Sequence, residues 1–196
     1  MNKREEAIRT MEVFNEKADR LLSSSFAREI AALGLRTRIS WKKGEPIVME
    51  CKGPDQESVE AFVLTLRFFI QDNEKTSFRK LAETYNSLPL PKDLQEAFEQ
   101  CRAQLNDCLD QHDPAMQIKV GDKILTRGEI LRVFVYGDLA HSTQRSTYES
   151  WKTNPVKFGF LQQEFKKVLW YVLQAIARAR ELNKRAIREL GAVQPE

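Results

Sequence analysis

The chain has 196 residues, of which 42% are hydrophobic and 30% are charged, a balance that is typical of a globular protein rather than a disordered one. It contains no run of about 18 apolar residues, which excludes a transmembrane helix. Its first residues lack the apolar core of a signal peptide. We therefore expect a cytoplasmic protein with no membrane partner, and we interpret residues 1–196 as a single domain.

The formal net charge of +3 hides an uneven distribution. Residues 1–113 have 17 Lys and Arg against 20 Asp and Glu, whereas residues 114–196 have 14 against 8. The second half therefore has a net charge of +6, and it also contains the candidate reactive side chains. This excess favours an anionic partner only mildly, because it does not form a dedicated basic stripe.

The three cysteines, Cys51, Cys101 and Cys108, form no C-x-x-C pair. Scattered thiols in a cytoplasmic chain are most simply reduced packing residues. With two histidines and no paired ligands, the sequence predicts neither a zinc site nor another metal site. Glycine-rich phosphate loops and the common hydrolase motifs are also absent, so we expect no cofactor.

Residues 3–33 predict a long amphipathic helix. Its apolar side chains recur every three or four residues, the spacing that places them on one helical face; they include Ile8, Met11, Phe14, Ala18, Phe26 and Ile30. Gly34 follows as a natural stop, although the run of serines at 23–25 makes an earlier break the alternative. A helix of this length packs either on its own domain or on a second subunit.

Two segments change from helical spacing to alternation, which is typical of short strands. Residues 35–52 alternate on either side of a turn at 43–45, and residues 116–125 alternate on either side of Gly121 and Asp122. Each segment predicts a β-hairpin. Because a two-stranded ribbon alone is marginally stable, we expect both hairpins to pack on the helices or on each other.

Three amphipathic helices are predicted between the hairpins. Residues 57–71 have the broad apolar face of a central helix. The next helix, which Thr76 or Ser77 can cap, has an inner side formed by Phe78, Leu81, Ala82 and Tyr85. After a connector with two prolines, residues 92–112 form a helix with a narrower apolar face, which we expect to be peripheral.

The last helix is predicted over 158–190 and changes character along its length. Its first part is apolar on nearly all sides, as in a buried helix, whereas residues 178–190 have a sparse apolar line. The basic side chains of this second part are Arg178, Arg180, Lys184, Arg185 and Arg188. We interpret it as an exposed helix end, with binding of RNA or of a partner helix as the alternative.

The stretch 126–151 contains the clearest helix start. Thr126 followed by Glu129 is typical of a capping box, in which each side chain bonds the backbone of the other. In the helix that follows, Asp138, His141 and Arg145 are three and four residues apart, which places them on one face. These are the candidate catalytic residues: a histidine oriented by a carboxylate beside a phosphate-binding guanidinium. The alternative is a helix-end histidine with a solvated ion pair.

The segment Tyr-Gly-Asp-Leu-Ala-His at 136–141, before a last helix pair, resembles HEPN-like prokaryotic helical domains of abortive-infection and toxin–antitoxin systems. The resemblance covers residues 55–185 and includes the order of the helices. Active members of that family cut RNA as dimers, and they have an arginine and a histidine separated by four to six residues at the start of an inner helix. The resemblance therefore implies an RNA-directed dimer in which His141 is the general acid and base.

The chain departs from that motif in one respect. The nearest arginine before His141 is Arg132, with eight residues between them, and a straight helix would point these side chains to opposite sides. Arg145 lies on the correct side but follows the histidine. The resemblance thus implies the fold more than it implies catalysis.

These patterns predict a mainly α protein, a multi-helix bundle with two short β-hairpins. We interpret it as a non-catalytic interaction or oligomerisation module of HEPN-like ancestry, with the helix at 3–33 and the helix end at 178–190 as interaction arms that make a dimer. The alternative is an RNA-binding protein or a metal-independent ribonuclease of a prokaryotic defence system. A third hypothesis is a pocket for a small anion near Arg67 and His141.

Overall fold

The computed structural model describes residues 2–24, 37–40, 48–51, 56–70, 77–112, 119–120, 123–129, 131 and 155–192. Its helices are α1 (Lys3–Leu22), α2 (Gln56–Ile70), α3 (Ser77–Ser87), α4 (Lys92–Asp110) and α5 (Pro155–Ala192). Its strands are β1 (Thr37–Ser40), β2 (Val48–Cys51), β3 (Lys119–Val120) and β4 (Lys123–Ile124). The described part is therefore mainly helical, as the sequence predicts.

Helix α1 begins with a capping box that the sequence analysis missed. The Asn2 Oδ1 accepts from the Glu5 backbone N–H at 2.9 Å, and the Glu5 carboxylate accepts from the Asn2 N–H at 3.1 Å. The apolar stripe predicted for this helix is buried; it consists of Ala7, Met11, Phe14, Ala18 and Leu21. The helix ends at Leu22 with Ser23 as its C-cap, so the prediction of an uninterrupted helix over 3–33 is wrong and the alternative break at the serines is correct.

The long helix α5 is the axis of the bundle, with α1 and α4 running antiparallel to it on two sides. Along α1, the Arg4 guanidinium donates to the Leu190 carbonyl near one end, and Arg180 meets Asp19 at 2.5 Å near the other. Along α4, Arg185 meets Asp93 at 2.7 Å.

Two expectations about position are therefore wrong. Helix α4 is not peripheral, because it packs along α5 and against α3. The end of α5 is not a solvated extension, because one face of it is completely buried against its neighbours; that face consists of Ala179, Asn183, Ala186 and Leu190. The sparse apolar line that the sequence predicts is Leu182, Ile187 and Leu190, and only Leu190 belongs to the buried face. The rest of that face consists of small and polar side chains at i, i+3 and i+4 spacing, which a hydrophobic pattern does not reveal.

One hydrophobic core extends from α1 through α2, α3 and α4 to α5. Its aromatic centre is Phe14, whose ring meets Phe69 of α2 and Phe78 of α3 edge-on at centroid distances of 5.1 and 5.4 Å. Such edge-to-face pairs contribute about 0.5–1.5 kcal/mol beyond the area that they bury. The predicted inner side of α3 is confirmed, since Phe78, Leu81, Ala82 and Tyr85 are all buried.

A buried polar network joins three helices at the other side of this core. The Tyr85 hydroxyl of α3 donates to the Asn183 Oδ1 of α5 at 3.0 Å, and the Asn183 amide donates to the Asn15 Oδ1 of α1 at 3.1 Å. The Tyr85 ring stacks on Phe98 of α4 at 4.2 Å. Because a buried amide must find partners, this network fixes the register of α1 and α3 on α5.

The strands form two antiparallel pairs. Thr37 lies opposite Cys51 and Ser40 opposite Val48 in one pair, and Lys119 lies opposite Ile124 in the other. The residues that would join the strands, 41–47 and 121–122, lie outside the described residues. The two hairpins therefore stay predictions.

The capping box predicted at Thr126 and Glu129 is confirmed. The Glu129 backbone N–H donates to the Thr126 Oγ1 at 3.2 Å, and the Glu129 carboxylate accepts from the Thr126 N–H at 2.9 Å. This turn is held against α4, because the Arg127 backbone N–H donates to the Gln111 carbonyl at 2.8 Å. A Cβ added to Gly128 would lie 3.1 Å from the Leu109 carbonyl oxygen, so glycine permits the close approach.

Candidate binding groove

The candidate catalytic residues Asp138, His141 and Arg145 lie outside the described residues. Arg67, the other member of the hypothesised anion pocket, lies half-buried on α2. The remaining histidine, His112, is exposed just after α4. Within the described part of the chain, no group of side chains is arranged to hold a metal ion.

The basic residues at the end of α5 mostly connect helices rather than form an open cationic surface. Arg180 contacts both Asp19 and Glu181, Arg185 contacts Asp93, and Lys184 contacts Glu181 at 3.1 Å. Hydrogen bonding from Lys184 holds the pKa of the Glu181 carboxyl below its usual range. These ion pairs reduce the positive charge of three of the five basic side chains at this helix end, which are Arg180, Lys184 and Arg185.

A groove of about 660 Å³ opens between α1, α2 and α3. Its apolar surface consists of Val13, Phe14, Phe68 and Leu81. Phe14 and Leu81 are buried core residues that form its base, whereas Val13 is 41% exposed. An exposed valine next to aromatic and aliphatic side chains is the kind of surface that gains from being covered.

Ser77 is one of the residues that line this groove. It is 6% exposed, and its Oγ has no hydrogen-bond partner among the residues that the structure describes. A buried hydroxyl without a partner costs about 1–3 kcal/mol. Ser77 is also the first residue of α3, so the groove lies at the N-terminus of that helix.

Charged and polar side chains from α1 and α3 form the rim; they are Glu6, Arg9, Thr10, Lys80 and Glu83. Glu83 is in contact with Arg79 at 3.6 Å. In the described part of the structure, no acidic side chain forms an ion pair with Arg9 or Lys80. The groove thus combines an apolar base, one buried hydroxyl and two unpaired cations.

Sequence reasoning did not single out these residues. Val13 lies outside the buried apolar stripe of α1, but single exposed apolar residues are common on protein surfaces, so its position in the sequence is a weak signal. Ser77 was considered only as a helix cap, whereas Arg9 and Lys80 have ordinary surface spacing. Which cations remain unpaired depends on the tertiary structure.

No family model, no curated protein and no solved structure matches this chain. None of the described helices is long and apolar enough to cross a membrane.

Proposed function

We propose that the chain is a non-catalytic interaction module of HEPN-like ancestry, and that it binds an extended or helical segment of a partner protein in the groove between α1, α2 and α3. The observation that supports it best is the exposed Val13 beside the apolar base of that groove. A cleft of this size with a few polar groups at its rim is within the range of known binding sites, about 300–1,000 Å³.

The geometry also suits recognition of a peptide. The groove is bounded by α1 and α3, so that an apolar side chain of a partner can insert between them and contact Val13 and Phe68, above the buried Phe14 and Leu81. Helix-lined grooves with apolar bases commonly bind amphipathic segments in this way. In such interfaces, a few central apolar anchors supply most of the binding energy while a polar rim excludes water.

The predicted dimer requires a different surface from the one first inferred. The apolar faces of α1 and α5 bury each other within one chain, from Ala7 and Met11 on α1 to Ala186 and Leu190 on α5. They are therefore not available to a second copy in this fold. Self-association stays part of the proposal, and light scattering over a range of concentrations measures it directly.

A library of random peptides selected on the purified chain tests the groove. We expect enriched peptides to bind about tenfold more weakly to Val13→Gln, because replacing an anchor contact costs more than 1 kcal/mol. Leu64→Gln and Tyr171→Gln are matched controls, since both residues are exposed hydrophobics, at 62% and 42%, that do not line the groove. Equal affinity for all three variants, or no enriched peptide, would contradict the proposal.

The RNA-directed alternative makes a separate prediction. We expect the purified chain to leave total RNA intact, and its His141→Ala variant to behave in the same way. Cleavage by the parent chain that is lost in His141→Ala would show instead that the histidine acts as a general acid or base. Metal chelators added to both reactions would separate this cleavage from a contaminating metal-dependent nuclease.

A further inference from the structure

We propose that the segment bound in the groove is the C-terminal residue of a partner, with an apolar side chain on the groove base and its free carboxylate beside Ser77, Lys80 and Arg9. This inference rests on the proposed function and adds the chemistry of the partner. Three features of the groove support it: a buried donor, unpaired positive charge, and the position of both next to the apolar base.

The first feature is the Ser77 hydroxyl, which is more than nine-tenths buried and lacks a partner among the described residues. Buried hydroxyl groups are nearly always hydrogen-bonded in native proteins, and one that is not indicates a missing partner. The Oγ is closed off in this structure, so a carboxylate oxygen accepts this hydrogen bond once the serine side chain rotates toward the groove. The bond is then charge-assisted, which makes it shorter and stronger than one between neutral groups.

The second feature is the charge around that hydroxyl. Arg9 and Lys80 line the groove without an acidic partner in the described structure, while other cations such as Arg79 and Arg180 have one. Glu83 is already in contact with Arg79, which leaves Glu6 as the opposing charge at the rim. Two unpaired cations against one unpaired acid favour a ligand with a single negative charge.

The N-terminus of α3 adds to this preference. The helix begins at Ser77 and has no acidic residue in its first turn. Partial positive charge at a helix N-terminus stabilises a nearby anion by about the same amount as a weak ion pair. Many helices place Asp or Glu there, whereas the described first turn of α3 contains none.

The third feature is the closeness of these polar groups to the apolar base. Ser77 and Leu81 are one turn apart on α3, and both line the groove with Phe14. A C-terminal residue has its carboxylate and its side chain on the same carbon atom. It can therefore place the carboxylate beside Ser77 and Lys80 while its side chain covers Val13 and Phe68, which are the apolar residues of the groove that keep accessible surface. An internal residue does this less easily, because its carboxyl carbon is part of a peptide bond.

A fluorescent peptide with the sequence Ala-Ala-Leu-Leu and a free C-terminal carboxylate is the probe, and its C-terminal amide is the matched control. We expect the acid to bind at least about tenfold more tightly than the amide to the full chain by fluorescence anisotropy. Ser77→Ala and Lys80→Gln should each remove most of that preference. Lys92→Gln should retain it, because Lys92 is an exposed lysine of α4 away from the groove.

Thermal melting keeps the Ser77→Ala result interpretable. Removing a buried hydroxyl that has no partner should raise the melting temperature, so weaker binding by this variant would not come from unfolding. Weaker binding together with higher stability supports the proposal. Unchanged binding in Ser77→Ala and Lys80→Gln overturns it.

The remaining outcomes distinguish this inference from the proposed function. If the acid and the amide bind equally and Val13→Gln weakens both, the groove binds apolar segments but does not recognise a carboxylate, and only this inference fails. If neither peptide binds and peptide selection also fails, the proposed function fails with it. Sodium octanoate tests whether the groove instead binds a free aliphatic acid. If octanoate shifts the groove resonances but does not displace the peptide, the peptide is not bound in the groove, and the assignment to a protein terminus is overturned.

Discussion

At the scale of single residues, Asn183 determines how three helices fit together. Its side chain is completely buried, and it accepts from Tyr85 and donates to Asn15. In the sequence, Asn15 looks like an ordinary surface residue and Tyr85 looks like an ordinary core residue. The sequence predicts a solvated segment around Asn183, because an asparagine within a basic helix gives no sign of being buried until its partners on two other helices are known.

Removing one hydrogen bond of this network should be costly. Tyr85→Phe leaves the Asn183 Oδ1 buried without its donor, so we expect the free energy of unfolding to fall by about 1–3 kcal/mol. The matched control is Tyr171→Phe, because Tyr171 is 42% exposed. Urea unfolding of the three proteins measures the difference, and equal midpoints for Tyr85→Phe and the parent would show that the network contributes no net stability.

The Cys101 thiol gives a prediction about pH. Burial raises the pKa of Cys101 above its ordinary value of 9.0, and Arg178 partly opposes this. The folded state therefore retains a proton that the unfolded state loses, so the contribution of this group to stability is complete below pH 9 and falls as the pH rises above it. Burial also raises the pKa of Tyr85, which acts in the same direction above its ordinary value of 10.0.

We expect the parent chain to lose stability between pH 8 and pH 10 more steeply than Cys101→Ala. The difference in slope should approach about 1.4 kcal/mol per pH unit above pH 9. Because Cys101→Ala also removes packing at every pH, the informative quantity is the change with pH within each protein. Parallel pH profiles in urea unfolding would contradict a buried thiol that stays protonated.

At the scale of elements, sequence patterns predict those features of a helix, such as its apolar face and its caps, that depend on residues close together in the sequence. The inner face of α3 and the capping box at Thr126 and Glu129 follow from spacing alone, and both are confirmed. The end of α1 at Leu22 depends on two opposing effects. The three serines favour ending the helix, whereas the apolar stripe on either side favours continuing it, and spacing alone does not say which effect is larger. The burial of α4 depends on α5, which is distant in sequence.

Two glycines in helical turns should respond oppositely to alanine. At Gly128 the new Cβ would lie 3.1 Å from the Leu109 carbonyl oxygen and 3.3 Å from the Leu109 Cβ, so the capping turn must move away from α4. At Gly191, near the end of α5, no atom lies within 4 Å of the new Cβ. We expect Gly128→Ala to lower the free energy of unfolding by about 1 kcal/mol and Gly191→Ala to raise it by about 0.5 kcal/mol. Differential scanning calorimetry measures both melting temperatures, and a shift of both in the same direction would contradict this prediction.

At the scale of the whole molecule, α5 has two roles that the sequence presents as one. Its buried face holds α1 and α4 together, and its basic face forms ion pairs with Asp19 and Asp93, which lie far away in the sequence. The same arginines therefore look like a nucleic-acid surface in the sequence and act as ties between helices in the fold. The groove follows from this arrangement, because α1, held along α5, leaves Val13 facing outward beside α2 and α3.

The candidate site could be predicted only in part. Composition and spacing predict a helical interaction module, whereas the groove brings together residues of α1, α2 and α3, such as Arg9 and Ser77, that lie far apart in the sequence. No local pattern contains that information. The candidate cluster of Asp138, His141 and Arg145 stays a prediction, and the His141→Ala variant is the direct way to examine it.

Chemical-shift mapping with ¹⁵N-labelled chain and the Ala-Ala-Leu-Leu acid tests the groove most directly. We predict that the perturbed backbone resonances belong to Arg9, Thr10 and Val13 on α1 and to Ser77 and Lys80 on α3. Resonances of Leu64, Tyr171 and the basic end of α5 should stay in place. Perturbations confined to residues 178–188 instead, or none at saturating peptide, would contradict a binding site between α1, α2 and α3.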